Sequence, residues 1–215
     1  MSKIDGGDDR RGIRTGKSRC LGQSVSMQSR GAQHLREVTG THGLEITIRA
    51  ALDILTRFEI PHLIAGGVAV QEHGYFRVTT DVDIIVPDPG EAVDTLTAPL
   101  DTFFEALPKI FDTVRDKRNE VLINFLPAGG TLKANCRVPF PNPKSPSDAP
   151  VFVTLEELVA LKLDSWRGSP NHRHKDKSDV IELIKALKLP RDLGVCEAVR
   201  DLYLETWDAL ANEPE

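Results

Sequence analysis

The feature that most constrains this chain is the run Asp81-Val82-Asp83-Ile84, in which acidic and apolar residues alternate. Side chains of a β-strand alternate between its two faces, so Asp81 and Asp83 share one face and the two apolar residues share the other. The Cα atoms of the two acids then lie about 6–7 Å apart. The pattern predicts a strand over residues 82–86 with one buried apolar face. The carboxylates of Asp81 and Asp83 lie at the start of this strand on its opposite face.

Composition excludes several classes of protein. Of the 215 residues, 40% are apolar and 27% are charged, which is typical of globular domains and excludes collagen, a coiled coil and a wholly disordered chain. No apolar run approaches the roughly 20 residues of a membrane helix, so no membrane partner is expected. Cys20, Cys136 and Cys196 are far apart and odd in number. They predict a reducing, cytoplasmic setting without a disulfide framework.

Charge is distributed unevenly along the chain. Residues 1–42 hold eight Lys or Arg and four Asp or Glu, whereas residues 43–215 hold nineteen and twenty-eight. Phosphate contacts dominate affinity for nucleic acid, so the acidic body argues against binding to duplex DNA. The first 42 residues lack apolar periodicity and predict a disordered basic tail. Whether translation starts at Met1 or at Met27 stays open.

The spacing of apolar residues and the positions of proline divide the rest of the chain into segments. Residues 43–138 predict an α/β core, the proline-dense segment 139–150 predicts an extended connector, and residues 151–215 predict a helical part that completes a cleft. Thr154 and Glu157 form a capping-box pattern that starts a helix. The other predicted helices cover residues 44–58, 68–73, 91–107, 175–187 and 195–210, and the strands cover residues 62–65, 82–86, 110–114 and 121–126.

Gly66-Gly67 lies between a predicted strand and a predicted helix, and thirteen residues separate it from Asp81. Glycine lets backbone approach a ligand closely, and a helix N-terminus offers free amides to phosphate. Paired carboxylates suit Mg²⁺, which they hold together with substrate phosphates. Each pattern alone has an ordinary explanation, a turn for the glycines and a solvated face for the acids. Their combination favours metal-assisted nucleotidyl transfer.

The pattern Gly66-Gly67-Val68-Ala69 with Arg77-Val78-Thr79-Thr80-Asp81-Val82-Asp83 resembles the signature of the polymerase-beta-like nucleotidyltransferase superfamily, and in particular its small bacterial AbiEii-type and minimal members. The resemblance implies a short mixed β-sheet flanked by helices, with NTP and Mg²⁺ as ligands. It also implies a supporting role for Arg77 and Thr79 near the triphosphate. Some of these relatives are toxin or antitoxin components, so a toxin or antitoxin partner is a further expectation.

The helical half supplies further candidates. Lys162 falls on the apolar stripe of the Thr154 helix, where an inward-facing lysine needs a partner. A triphosphate oxygen and a buried carboxylate both satisfy that need, and the residues leave the choice open. Lys175 and Asp176 resemble the Lys-Asp-x-x-Asp stretch of such proteins. One interpretation has Lys175 contact phosphate while Asp176 orients it, and the other has Asp176 and Asp179 simply stabilise a helix start.

The chain departs from the superfamily pattern at the third carboxylate, whose expected position holds Asn124. An amide can coordinate a metal through its oxygen, but it brings no charge and cannot act as a base. Glu120 lies four residues earlier, about 13 Å back along the same strand, which makes it a poor substitute. Two hypotheses follow. The chain is a nucleotidyltransferase acting on a protein, RNA or small-molecule hydroxyl, or it is a catalytically impaired nucleotide-binding partner protein of the same fold.

Because residues 1–42 cannot repay the entropy of ordering, we expect them to be dispensable for folding. A chain that begins at His42 should melt within a few degrees of the full-length chain in a calorimetric scan. A large drop in melting temperature would contradict this expectation and show that the tail packs.

Overall fold

A computed structural model describes residues 42–212, apart from Phe111 and Asp148. Residues 1–41 of the predicted basic tail therefore lie outside the described residues, while His42, its last residue, begins the first helix. The helices of the described part are α1 (His42–Arg57), α2 (Gly66–Glu72), α3 (Pro89–Thr97), α4 (Leu155–Gly168), α5 (His174–Leu187) and α6 (Glu197–Ala211). Its strands are β1 (Leu63–Ala65), β2 (Asp81–Val86), β3 (Phe104–Ala106), β4 (Thr113–Asp116) and β5 (Leu122–Pro127).

The strands form one mixed sheet in the order β1-β2-β5-β4-β3. β2 and β5 pair in parallel, and the other neighbouring pairs are antiparallel. In the parallel pair Asp83 lies opposite Asn124. The predicted fold class is confirmed, since a short mixed sheet is flanked by helices and followed by a helical C-terminal segment.

Two hydrophobic clusters cover the two faces of the sheet. On one face Val82, Ile84 and Val86 of β2 pack with α1 and α3. On the other face Ile85 packs with α4, α5 and α6. Because β2 alternates, its carboxylates lie on the same side as Ile85 and face the C-terminal helices. The apolar face thus fixes the register that presents the two acids to a cleft.

The C-terminal helices begin close to the predicted residues. Thr154 caps α4 and accepts a hydrogen bond from the Glu157 amide, while Glu157 bonds back to the Thr154 amide, which confirms the capping box. Backbone bonds from Ile64 to Val151 and from Val153 to Ile64 tie the entry of this segment to β1. None of the helices among the described residues is long and apolar enough to span a membrane.

Three details of the sequence interpretation are wrong. The helix predicted over residues 91–107 ends at Thr97, because Pro99 has no N–H with which to continue the helical hydrogen bonds; residues 104–106 form β3 instead. The helix predicted over residues 44–58 ends at Arg57, and Phe58 beyond it is 57% exposed. The strand predicted over residues 110–114 begins only at Thr113 and ends at Asp116.

A buried carboxylate joins α1 to the β4–β5 turn. Asp116 accepts hydrogen bonds from the Thr47 hydroxyl at 2.6 Å and from the Arg118 guanidinium at 2.9 and 2.6 Å. Burial alone would raise the pKa of Asp116, but the bonds from Arg118 and Thr47 outweigh it and hold this pKa below its ordinary value.

We therefore expect Asp116 to contribute stability that disappears in acid. A carboxyl with a lowered folded-state pKa stabilises the fold above its unfolded-state pKa and loses that contribution as pH falls through the folded-state value. Asp116→Asn should be less stable than the parent at about pH 6, and the gap should narrow toward about pH 3 in urea unfolding. Exposed Asp53 provides the control, since Asp53→Asn should show no such narrowing. A gap that does not depend on pH would contradict the assignment.

Candidate active site

A cleft of about 300 Å³ lies between the acidic face of the sheet and helix α4. Its polar lining comes from Asp81, Asp83 and Asn124 on the sheet and from Lys162, Asp164, Ser165, Arg173 and Asp176 on the helical side; its apolar lining includes Leu126, Leu132, Val138, Phe140, Leu158 and Leu161. The cleft therefore has a charged part at the strands and an apolar part along α4 and the segment that precedes it.

The carboxylate pair is held by neutral neighbours. Asp81 accepts a hydrogen bond from the Thr79 hydroxyl at 3.2 Å, and Asp83 accepts one from the Asn124 amide at 3.0 Å. Burial, and then the nearby charge of Asp81, raise the pKa of Asp83, although the Asn124 bond opposes them. Two close carboxylates without a full counter-charge favour binding of a cation.

Gly66 is required by the position of Asp83. Its φ of +64° is in the left-handed region, and a Cβ at Gly66 would lie 1.9 Å from Asp83 Oδ2. At Gly67 a Cβ would lie 2.4 Å from Thr79 Oγ1. The glycine pair thus lets the β1–α2 backbone approach the carboxylate strand. This packing requirement stands whether or not the same backbone also approaches a phosphate.

Asn124 lies beside Asp83 on the neighbouring strand, and its amide is engaged on both sides. Its Nδ2 donates to Asp83 Oδ1 at 3.0 Å, and its Oδ1 accepts from Thr113 Oγ1 at 3.2 Å. Asn124 consequently presents an N–H, and not its oxygen, to the acidic pair. Glu120 precedes β5, is exposed and pairs with Arg115 at 2.8 Å, so it does not replace the missing acid.

The partner of Lys162 in this structure is a pair of carboxylates. Its Nζ lies 2.7 Å from Asp176 Oδ1 and 2.8 Å from Asp179 Oδ2. Lys162 also lines the cleft, and its charge lowers the pKa of Asp83, against the larger effect of burial. The sequence left a triphosphate oxygen and a buried carboxylate open as partners of Lys162. In the structure Lys162 pairs with these two carboxylates, and its ammonium lies at the wall of the cleft.

Arg77 also binds Asp179, one of the carboxylates that Lys162 contacts. Its Nε and Nη2 donate to the two oxygens of Asp179 at 2.6 and 2.9 Å. The ideal Cβ at Gly67 would lie 3.2 Å from Arg77 Nη2, but Arg77 does not line the cleft. The structure thus places Thr79 and Arg77 next to the glycine pair, with their polar groups already bound to Asp81 and Asp179.

Asp176 is buried and reaches into the cleft, whereas Lys175 is exposed and lies outside its lining. The carboxylate of Asp176 accepts from Lys162 and, at 2.6 Å, from the Ser165 hydroxyl. Burial opposes the shift, but Lys162 and Ser165 hold the pKa of Asp176 below its ordinary value. Adjacent positions of a helix do not face the same way, so Lys175 and Asp176 do not reach the cleft together.

Three polar residues of the cleft were missed by sequence reasoning. Arg173 precedes α5 and comes within 3.8 Å of Asp176. Ser165 lies one turn after Lys162 and was detectable as a neighbour on the same helix face. Asp164 accepts from the amides of Arg137 and Val138 at 2.7 and 2.8 Å. That long-range role leaves no local pattern in the sequence.

Asp81 and Asp83 fit a divalent cation because they are the oxygen ligands that Mg²⁺ prefers. No group of three or more His, Cys, Asp or Glu side chains poised for a metal ion occurs among residues 42–212 as described. The pair therefore supplies at most part of a coordination shell, and substrate phosphates or water would have to supply the remainder.

Comparison with known proteins adds one finding. No family model matches the chain, and no curated protein matches it. Among solved structures, the chain is similar to the antibiotic-resistance factor ANT(2'')-Ia, with a TM-score of 0.49 and 15% identity, over 80% of this chain and 97% of that one.

We expect Gly66→Ala to destabilise the fold by about 1–3 kcal/mol or more, because left-handed backbone and the contact with Asp83 both oppose a Cβ. Urea unfolding measures the effect. Gly194 is the matched control, since nothing lies within 4 Å of a Cβ there, so Gly194→Ala should change stability by less than about 0.5 kcal/mol. Equal effects at the two positions would contradict the steric argument.

Proposed function

We propose that this chain is a Mg²⁺-dependent nucleotidyltransferase, which moves an NMP from an NTP to a hydroxyl acceptor. One observation carries the proposal: Asp81 and Asp83 share a strand face and meet Lys162 across one cleft. A cation held by carboxylates and an ammonium on the facing wall are the two charges that a triphosphate needs on its two sides. The apolar part of the cleft offers area to a base or to an acceptor.

In this proposal each residue has a defined task. Asp81 and Asp83 hold the Mg²⁺, with Thr79 and Asn124 fixing their oxygens through the bonds described above. Lys162 and Arg173 provide positive charge along the helical wall, and Gly66 and Gly67 keep the backbone close to the carboxylates. Bound Mg²⁺ would neutralise charge on the phosphates. Positioning and preorganised charge supply most of the rate in this kind of chemistry.

The transfer itself forms a bond between the acceptor oxygen and the α-phosphorus and breaks the bond from that phosphorus to the bridging oxygen, so pyrophosphate leaves. The acceptor proton needs a base. Asn124 cannot accept it, and the other acids of the cleft are engaged, Asp164 by Arg167 and backbone amides and Asp176 by Lys162 and Ser165. The chain therefore contributes binding and orientation more than proton removal.

The second candidate function is that of a nucleotide-binding regulatory or partner protein with impaired transfer. The N–H that Asn124 directs at Asp83 favours it, because the same position would carry a third anion in an active site of the resembled kind. The acceptor of an active enzyme stays open among a protein, an RNA and a small molecule. A toxin or antitoxin partner remains an expectation from the sequence resemblance alone.

Incubation with α-³²P-labelled NTPs and Mg²⁺ separates the two functions. An active transferase should move the labelled NMP onto an acceptor, and should do so only when Mg²⁺ is present. Binding of NTP without any transfer, across protein, RNA and small-molecule acceptors, would favour the partner protein. Absence of both binding and transfer would contradict both functions.

We expect the double variant Asp81→Asn, Asp83→Asn to lose Mg²⁺-dependent NTP binding while it keeps the fold, since two like charges are removed from one face. Isothermal titration calorimetry measures the binding, and thermal melting in the absence of metal should show equal or slightly higher stability. NTP affinity equal to that of the parent would remove Asp81 and Asp83 from the metal site.

Asn124→Asp should fold with little rearrangement, because the two side chains are nearly isosteric. It replaces an N–H donor with a third anion, so stability should fall without metal and recover with Mg²⁺. General-base catalysis contributes about 10²–10⁴-fold, so transfer should rise by at least about tenfold. If neither the metal response nor the rate changes, Asn124 does not occupy the third-acid position.

A further inference from the structure

The number of cations that the cleft can take depends on the residue opposite Asp83. Asn124 pairs with Asp83 across the parallel strands, and its Nδ2 lies 3.0 Å from Asp83 Oδ1. The reverse orientation of the amide would set its oxygen against a carboxylate oxygen, and two acceptors repel. Thr113 donates to the amide oxygen at 3.2 Å; its hydroxyl could satisfy either orientation, so the contact with Asp83 determines the orientation of the amide.

This hydrogen bond engages one oxygen of Asp83. Two metal ions about 3.5–4 Å apart share carboxylate oxygens and repel each other, and the repulsion between two doubly charged ions is about four times that between unit charges at the same separation. Such a pair therefore needs more negative charge than a single ion does. In this cleft an N–H occupies the position from which that extra charge would come.

The other acids that line the cleft do not supply it. Asp176 is bound by Lys162 at 2.7 Å and by Ser165 at 2.6 Å. Asp164 is bound by Arg167 and by the amides of Arg137 and Val138. To bind either acid, a second metal ion would have to break one of these interactions. A basic side chain, a hydroxyl or a backbone amide would then lose its partner.

We propose that the site takes a single divalent cation, held by Asp81, Asp83 and the phosphates of the nucleotide, and has no separate place for a second one. The inference rests on the proposed function, since it concerns the same site. It assigns Asn124 as the positioning residue that sets the count, by directing an N–H at Asp83.

The test counts Mn²⁺ bound to the full chain, by electron paramagnetic resonance and calorimetry, with a non-hydrolysable α,β-methylene analogue of ATP. One Mn²⁺ in each ternary complex supports the proposal, and two overturn it while leaving nucleotidyl transfer intact. No Mn²⁺ and no analogue bound would overturn the proposed function, and the inference with it.

Variants test the role of Asn124. Asn124→Asp should bind two Mn²⁺ in the presence of the analogue, and Asn212→Asp, which adds the same charge at the end of α6, should bind one. A count of one in both variants would overturn the role assigned to Asn124. If Asn124→Asp does not fold, the count for the parent chain still decides whether the site holds one ion.

Discussion

The partial burial of the Asp83 charge is the constraint on which the rest of the cleft depends. Asp83 lies in the middle of β2, between β1 and β5, and is half-buried at the wall of the cleft. Gly66 leaves space for one of its oxygens, and Asn124 donates an N–H to the other. A buried carboxylate without such neighbours would cost several kcal/mol or stay protonated. The direct junction of β1 with α2 at Gly66 and the pairing of Asn124 of β5 opposite Asp83 both accommodate this one side chain.

The opposite side of the cleft is fixed by a balanced set of charges. Lys162 and Arg77 share Asp179, and Lys162 also binds Asp176. These four residues come from α4, α5 and the segment before β2, so the ion pairs hold the C-terminal helices in one position relative to the sheet. Buried ion pairs add little net stability over apolar packing, but removal of one partner leaves an uncompensated charge. The ion pairs therefore fix the positions of these elements more than they stabilise the fold. The cleft keeps its shape because none of the four side chains can move without breaking a pair.

Local patterns in the sequence predicted those parts of the molecule that local physics determines. The period of two places Asp81 and Asp83 on one face, and the capping box starts α4 at Thr154, because both signals involve residues close in sequence. The three-residue strand β3 was hidden in a helix-like pattern, since its pairing with β4 is decided at long range. For Lys162 the residues allowed two partners, and only the fold brings Asp176 and Asp179 within reach. The position of Lys175 outside the cleft likewise depends on how α5 is rotated against α4.

The charge of the cleft bears on the order in which ligands enter. Four acids line it, Asp81, Asp83, Asp164 and Asp176, against two bases, Lys162 and Arg173. Lys162 is already compensated by two carboxylates, so a free triphosphate meets a surface with an excess of negative charge and is repelled. A divalent cation on the phosphates changes the sign of that interaction at the carboxylate pair. Under the proposed function, Asn124 withholds the additional charge that would retain a cation in advance, so the cation and the nucleotide would depend on each other for binding and would enter the cleft as one complex.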